Sequence, residues 1–352
     1  MSPMSSQDTE KSSYDGIMRE VTSNLTILYL HGGSFYMGSP AGSRAIVAQL
    51  VKRTGGRVFS LDYRLSPQEP FPAALLDALV AYLALLYPPD GAFHDPVPAS
   101  SIVLAGDSSG ANLCFALLII ILHLEANKPP SLVRFNGQDR ILHKPAGVAT
   151  VCGYFDLTLA LPSCEKNRKF DIIGHGGLTP PFLKPDFPAC SAWPSSPPRG
   201  EIYCDPSAMA HPLVSPITAS TWVGAPPLLF ICGEEILADS NQIIAQQAAR
   251  QGACIQWEQY TAMPHIFMTI LPDLPQSRLC YNKWASFCKN CVGDGGALKS
   301  QATIIEGFSL RKTDIPPENM NSLSMEQVTM LMRKRIEERK ALTLPQNIKS
   351  TL

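Results

Sequence analysis

The sequence predicts an α/β fold in which helices cover both faces of a mostly parallel sheet. Short apolar runs of strand length alternate along the chain with longer runs of helical length, and this alternation is typical of parallel sheets. The chain has 352 residues, and 45% of them are hydrophobic, which is enough for one large domain with a substantial core.

The predicted strands are short apolar segments, and the predicted helices are longer segments bounded by glycine, proline or capping residues. Strands are expected at residues 25–30, 57–61, 101–105, 147–152, 228–232 and 255–260. Helices are expected at residues 43–52, 72–87, 111–126, 241–251 and 280–289. We expect these elements to form one domain over residues 25–292.

The alternation of strands and helices stops at residues 155–216, a segment rich in proline and serine. So long an irregular segment inside a domain is typical of a lid over a functional site. Residues 1–24 are polar and are expected to be disordered or loosely attached. Residues 293–352 are expected to form a linker and a helix, which starts at the capping box of Ser324 and Gln327 and has a basic, solvated face.

Charge and composition argue against nucleic acid, membranes and metals as partners. The 29 basic and 30 acidic residues nearly cancel, so no charge imbalance favours nucleic acid or an anionic membrane. The longest apolar run, residues 113–122, is shorter than the roughly 20 residues of a membrane span, and we expect a buried helix there. Cys288 and Cys291 have zinc-type spacing but no second pair. The N-terminal residues lack the apolar core of a signal peptide, so the ten cysteines are expected to be mostly reduced thiols in a cytoplasmic protein.

The strongest functional motif is Gly106-Asp107-Ser108-Ser109-Gly110, a G-x-S-x-G run between a predicted strand and a predicted helix. A serine on so tight a turn has a strained backbone, and the glycines two residues before and after it remove clashes with side chains. The turn places the serine hydroxyl above the carboxyl ends of the strands, at the positive end of a helix dipole. Ser108 holds the central position and is therefore the predicted nucleophile, in preference to Ser109.

A second glycine-bearing turn, His31-Gly32-Gly33-Ser34, follows the first predicted strand. Acyl transfer builds negative charge on a carbonyl oxygen, and preorganised backbone N–H groups stabilise that charge. Small residues let the backbone approach a substrate closely. The amides of Gly32, Gly33 and Ser109 are the predicted oxyanion donors, although an ordinary glycine turn would show the same pattern.

A nucleophilic serine on such a turn needs an acid and then a histidine, both later in the chain. His265 comes just after the last predicted strand and is the predicted base. The acid should follow the predicted strand at residues 228–232, where Glu234, Glu235 and Asp239 all lie. Either carboxylate type can orient an imidazole, so these residues alone favour Glu235 only modestly, with Asp239 as the alternative acid.

These motifs resemble the hormone-sensitive-lipase branch of the α/β-hydrolase family, and in detail a group of fungal esterase-like proteins. The segments that carry the resemblance are HGGS at 31–34, DYRLSP at 62–67, GDSSG at 106–110, GEEILAD at 233–239 and MPHIF at 263–267. In that family the acid begins an acid-x-Leu-x-Asp run, which implies Glu235 as the acid and Asp239 as the trailing residue. The resemblance implies structural roles for Asp62 and Arg64.

Two departures from the family pattern affect substrate binding. Ser34 stands where the family usually has a third glycine; its N–H stays available, but its side chain narrows the space. Only about 24 residues precede the HGG strand, where relatives usually carry the first strands and part of a helical cap. Residues 155–216 are therefore expected to build most of the cap, unless the sequence is incomplete at this end.

The motifs and the resemblance together imply a serine hydrolase that cleaves small or medium hydrophobic carboxylic esters, including acetylated compounds or lactones, and needs no metal or organic cofactor. One alternative is acyl transfer, cyclisation or elimination in secondary metabolism, which products without added water would reveal. Another is ligand binding without catalysis, as in plant hormone receptors that resemble the family but lack the catalytic histidine. A serine inert toward fluorophosphonates would favour that alternative.

Overall fold

An eight-stranded, mostly parallel sheet organises the computed structural model, which describes residues 6–174, 179–293 and 298–342. The strands are Thr26–Leu30 (β1), Arg57–Leu61 (β2), Ile102–Asp107 (β3), Leu132–Phe135 (β4), Gln138–Ile141 (β5), Gly147–Val151 (β6), Leu228–Gly233 (β7), Ile255–Tyr260 (β8), Gln301–Ile305 (β9) and Lys312–Ile315 (β10). Their order in the sheet is β10-β9-β8-β7-β6-β3-β1-β2, whereas β4 and β5 form a separate hairpin. All neighbours in the large sheet are parallel except β10, which runs antiparallel to β9.

The helices form two layers, one on each face of the sheet. They are Ser6–Met18 (α1), Arg44–Thr54 (α2), Ala73–Leu86 (α3), Ser109–Ala126 (α4), Ser163–Lys166 (α5), Ala238–Arg250 (α6), Phe267–Ile270 (α7), Pro275–Val292 (α8) and Met325–Leu342 (α9). Alternate residues of a strand face opposite layers. In β1, Leu28 and Leu30 pack with α3 and α4, whereas Ile27 and Tyr29 pack with α2 and α8. The central strands are apolar on both faces for this reason.

Helix α4 is apolar on all sides because it lies inside the protein. By length and composition it could cross a membrane, but 67% of its span is buried within the fold. The prediction of a buried helix around residues 113–122 is therefore confirmed. Its first residue directly follows Ser108, so the helix start lies at the predicted nucleophile.

The central elements match the sequence-based expectations, with ends that differ by a few residues. The strands predicted at residues 57–61 and 255–260 agree with β2 and β8 at both ends. Residues 155–216 are built mainly of turns, as expected, and α5 is the α-helix among their described residues. The ten cysteines are free thiols.

The structure narrows one expectation about the chain ends, since residues 6–18 are helical and not disordered, and corrects another. Residues 6–18 form α1, and Tyr14 in this helix accepts a hydrogen bond of 3.0 Å from Arg57 of β2. A solvent-exposed helix has the same polar composition as a disordered segment, so the sequence did not separate the two. The expected linker after residue 292 contains β9 and β10, which extend the sheet next to β8. β10 is the edge strand, and its polar side chains stay largely exposed, whereas β9 lies between β8 and β10 and is mostly buried.

Helix α9 also packs more closely against the domain than its many charged residues suggest. Val328, Met332 and Ile336 recur every four residues of α9 and are buried in the main hydrophobic cluster. Arg339 lies on the same face, one turn further on, and is 4% exposed. The helix therefore packs on the domain through one face, and only the opposite face of the helix is solvated.

Replacing Met332 by alanine tests this packing. Met332 is 1% exposed, so Met332→Ala leaves a cavity, and we expect a loss of about 2 to 4 kcal/mol in the free energy of unfolding. Met330 in the same helix is 63% exposed, and Met330→Ala should change that free energy by less than about 0.5 kcal/mol. Urea unfolding followed by circular dichroism measures both. Equal effects of the two substitutions would show that α9 does not pack on the core.

Candidate active site

Ser108 lies on the turn between β3 and α4, with backbone angles of φ 51° and ψ −119°. A positive φ is strained for a residue with a side chain. The two flanking glycines make this turn possible. A Cβ on Gly110 would lie 1.9 Å from the carbonyl oxygen of Leu30, and a Cβ on Gly106 would lie 2.7 Å from the same oxygen. The physical reason predicted for the G-x-S-x-G spacing is confirmed.

His265 lies on the turn after β8 and reaches the serine. Its Nε2 is 3.0 Å from Oγ of Ser108, and its Nδ1 is hydrogen-bonded to Oε2 of Glu235. Glu235 lies on the turn after β7, and its Oε1 accepts a hydrogen bond of 3.2 Å from the amide of Gly233. With the carboxylate accepting at Nδ1, that nitrogen carries the proton and Nε2 is free to accept a proton from the serine. All three side chains are buried.

The other two candidate acids do not contact the histidine. Oδ2 of Asp239 accepts a hydrogen bond of 2.7 Å from the amide of Ser163, and its Oδ1 accepts one of 2.8 Å from the side chain of Asn321. Oε2 of Glu234 accepts a hydrogen bond of 2.9 Å from the amide of Ala262. Asp239 is therefore not a hydrogen-bond partner of His265, and its carboxylate instead joins two distant segments.

Burial and neighbouring charge act in opposite directions on the imidazole. Burial disfavours the imidazolium and would lower the pKa of His265, but the carboxylates of Glu235, Asp171 and Asp107 outweigh it and raise this pKa above its ordinary value. Each of these carboxylates stabilises a positive charge on the ring. The site is therefore suited to a histidine that becomes charged when it takes up a proton.

The glycine-bearing turn at residues 31–34 lies beside the start of α4. The amide of Gly32 donates a hydrogen bond of 3.0 Å to Oδ1 of Asp107, so it is unavailable to a substrate and its assignment as an oxyanion donor is corrected. Gly33 and Ser34 both have positive φ, of 127° and 52°. Within the described part of the chain, their amides and that of Ser109 have no acceptor; Ser109 is the first residue of α4, where no intrahelical acceptor exists.

Two carboxylates of the site were not predicted. Asp107 accepts hydrogen bonds from the hydroxyl of Tyr29 and from the amide of Gly32, so it fixes the glycine turn against β3. Its position inside the G-x-S-x-G motif is a signal that could have pointed to it. Asp171 accepts a hydrogen bond of 3.0 Å from the amide of His265. It lies in the irregular segment and belongs to no motif, so no signal in the sequence points to it.

A cavity of about 310 Å³ opens onto Ser108 and His265. Much of its wall comes from the segment 155–216, and most of the lining is apolar, for example Leu157, Ile173 and Phe182. Residues of this segment therefore line the cavity, and the role of the segment as a lid stays a prediction.

Glu201 is a buried acid in this wall. Its Oε1 accepts hydrogen bonds from the amides of Ile202 and Tyr203, and its Oε2 lies 3.5 Å from Nη1 of Arg339 in α9. Burial raises the pKa of Glu201 to about 7, although Arg339 and the two amides oppose this shift. Helix α9 thus places a positively charged side chain, that of Arg339, beside the buried carboxyl of Glu201 in the cavity wall.

One group of potential metal ligands coincides with the site. The ligand atoms of Cys152, Glu235 and His265 lie within 4.8 Å of one another. The histidine and glutamate are hydrogen-bonded to each other, and Sγ of Cys152 accepts a hydrogen bond of 3.3 Å from the amide of Ile266. These three side chains therefore make hydrogen bonds within the protein.

Comparison with known proteins agrees with this fold and site. A family model for the alpha/beta hydrolase fold matches residues 27–171. The chain is 30% identical to an acetyl-hydrolase of Streptomyces hygroscopicus over 271 residues, which are 77% of each chain. It is 27% identical to an esterase of Acinetobacter venetianus over 272 residues, again 77% of each chain. A solved structure, the hormone-sensitive-lipase homologue EstE7 from a metagenome library, is 28% identical with a TM-score of 0.59, covering 77% of this chain and 80% of its own.

The chain therefore belongs to the α/β-hydrolase fold family. Within that family, its likeness to EstE7 supports the hormone-sensitive-lipase branch that the sequence motifs resemble. The narrower resemblance to fungal esterase-like proteins stays a prediction.

The raised pKa of Glu201 predicts a pH-dependent loss of stability. In the unfolded chain this carboxyl has an ordinary pKa of about 4.3. Between that pH and about pH 7 the unfolded chain loses the proton while the folded chain keeps it, so folding becomes less favourable as the pH rises. We expect the free energy of unfolding of the wild type to fall by roughly 3 kcal/mol relative to Glu201→Gln over this interval.

Urea unfolding at a series of pH values measures this difference. Glu337→Gln in α9 is the control, because the side chain of Glu337 is 71% exposed. The unfolding free energy of this variant should change with pH in parallel with that of the wild type. If the curve of unfolding free energy against pH for Glu201→Gln is also parallel to that of the wild type, the pKa of Glu201 is not raised.

Proposed function

We propose that this carboxylic ester hydrolase cleaves its substrates through a triad of Ser108, His265 and Glu235. The observation that carries the proposal is the continuous chain of hydrogen bonds from the serine hydroxyl through both imidazole nitrogens to the carboxylate. These residues occur in the order serine, acid, histidine, which is the order for a nucleophile on a strand-to-helix turn. The relatives named as esterase and acetyl-hydrolase support the same reaction class.

In the proposed mechanism, Oγ of Ser108 attacks the ester carbonyl carbon while Nε2 of His265 takes up the hydroxyl proton. Glu235 stabilises the imidazolium that forms and holds the ring in the required tautomer. The imidazolium then gives its proton to the leaving alcohol, which departs and leaves an acyl group on Ser108. Water releases the acyl group by the same route, with His265 again as the base.

The negative charge on the carbonyl oxygen is held by backbone amides. We assign Gly33, Ser34 and Ser109 as the donors, since these amides lie around the nucleophile and have no acceptor among the described residues. The N–H of Ser109 also lies at the positive end of the α4 dipole. Each such donor contributes about 3 kcal/mol to transition-state stabilisation in other serine hydrolases.

The substrates that we propose are small or medium hydrophobic esters, including acetylated compounds or lactones, because the cavity is of modest volume and mostly apolar. The mechanism uses side chains and backbone amides of this chain at every step, so it requires no cofactor. A cytoplasmic location, a close relation to fungal esterase-like proteins and a place in secondary metabolism are further parts of the proposal.

Replacing Ser108 by alanine tests the nucleophile. We expect kcat/KM for p-nitrophenyl esters of short and medium acyl chains to fall by roughly 10³ or more, because the covalent step is lost. Ser131→Ala, in the irregular segment directly before β4 and outside the cavity lining, is the control and should keep full activity. The products should include one added water; acyl products without added water would favour transfer or cyclisation instead. Activity unchanged by Ser108→Ala would exclude the proposed mechanism.

The choice of acid is tested by a pair of isosteric substitutions. Glu235→Gln keeps the shape but removes the charge that stabilises the imidazolium, and we expect kcat to fall by roughly 10³ to 10⁴. Asp239→Asn changes a carboxylate that does not contact His265, and kcat/KM should stay within about tenfold of the wild type. A larger loss for Asp239→Asn than for Glu235→Gln would reverse the assignment.

A further inference from the structure

Asp171 connects the turn that carries the acid with the turn that carries the base. Its Oδ1 accepts a hydrogen bond of 3.0 Å from the amide of His265, and its Oδ2 accepts one of 2.7 Å from the amide of Ile236. Ile236 directly follows Glu235. The two oxygens of one carboxylate therefore fix the backbones that place Glu235 and His265 opposite each other.

This carboxylate comes from the segment that covers the cavity. Asp171 is 2% exposed, and the next two residues, Ile172 and Ile173, line the cavity over Ser108. A third hydrogen bond, of 3.3 Å from the amide of Ile173 to Oδ1 of Asp171, joins the cavity wall to the same carboxylate. A displacement of this wall would thus be transmitted to the backbone of His265.

The charge of Asp171 also acts on the imidazole. Among the described residues, the titratable groups that face His265 are Glu235 on the turn after β7, Asp107 at the end of β3, Asp171 in the covering segment and Cys152 after β6. The pKa of His265 is raised by Glu235, then by Asp171, then by Asp107. The role of Asp171 is therefore not only structural, because a neutral hydrogen-bond acceptor at the same place would leave the imidazolium of His265 less stable.

We infer that Asp171 is a positioning residue, which couples the segment over the cavity to the triad through its hydrogen bonds to the backbones of Ile236 and His265. This inference rests on the proposed function of His265 as the general base. Asp171 does not touch the reacting atoms; it acts through the backbone of His265 and through its charge.

The test is the titration of His265 itself in the full-length chain. Histidine-labelled protein with Ser108→Ala is titrated by nuclear magnetic resonance, and the signal of His265 is identified by its loss in His265→Gln. We expect Asp171→Asn to lower the pKa of His265 by roughly 0.5 to 1 unit, because a nearby negative charge is removed. In the active enzyme, the acidic limb of the kcat/KM profile should move to lower pH by the same amount, and kcat should fall about tenfold or more.

Asp156→Asn is a matched control. Asp156 is likewise a buried acid of the covering segment, with hydrogen bonds from the amides of Thr158 and Ala160, but it does not contact His265. It should leave the pKa of His265 unchanged. Asp171→Glu keeps the charge and should retain most of the raised pKa. If Asp171→Asn does not fold, Asp171→Ser removes the same charge without adding an amide donor.

The outcomes separate this inference from the proposed function. A folded Asp171→Asn with an unchanged pKa of His265 overturns the inference, and so does an equal shift in Asp156→Asn. Because the titration needs no turnover, it decides the role of Asp171 even if the wild type hydrolyses no ester, which would overturn the proposed function alone.

Discussion

The close approach of the end of β1 to the start of α4 is the constraint on which the site depends. A Cβ on Gly110 would lie 1.9 Å from the oxygen of Leu30 and 2.6 Å from that of His31, so only glycine lets the two segments meet. Ser108, two residues before Gly110, has a positive φ, and the same contact brings the turn that begins at His31 next to this serine. One steric requirement therefore positions both the serine and the amides around it.

Buried carboxylates and an amide side chain hold the turns around Ser108 in place. Asp107 holds the amide of Gly32 and the hydroxyl of Tyr29, so it ties the glycine turn to the strand that carries the nucleophile. The turn that carries Glu235 is held by the covering segment, since the side chain of Asn167 donates a hydrogen bond of 3.0 Å to the carbonyl oxygen of Glu235. Buried carboxylates that accept several hydrogen bonds are rigid, and rigidity keeps the reacting groups aligned.

The parts of this arrangement that could be predicted are those that depend on local sequence. The nucleophile turn needs glycines at fixed spacing, so Ser108 was evident, and His265 followed from its place after a strand. Gly32 was misassigned because a glycine motif does not show which amide is already bonded to a side chain. Asp171 and the strands β9 and β10 were missed because their roles arise only from tertiary contacts, which leave no periodicity or motif in the sequence.

The chemistry and the pocket are thus specified by different parts of the chain. The proposed triad and oxyanion amides belong to turns at the carboxyl ends of the strands, whereas much of the cavity wall belongs to the covering segment, which α9 supports through the contact of Arg339 with Glu201. Changes in the wall can alter the shape of the cavity while the triad stays intact, because side chains such as Leu157 and Phe182 do not contact the triad through hydrogen bonds. Asp171 and Asn167 differ from these side chains, since both belong to the covering segment and hydrogen-bond the backbone of His265 and of Glu235, respectively. Asp171 directly precedes two residues of the cavity wall, so the wall and the proposed base depend on neighbouring positions of the chain.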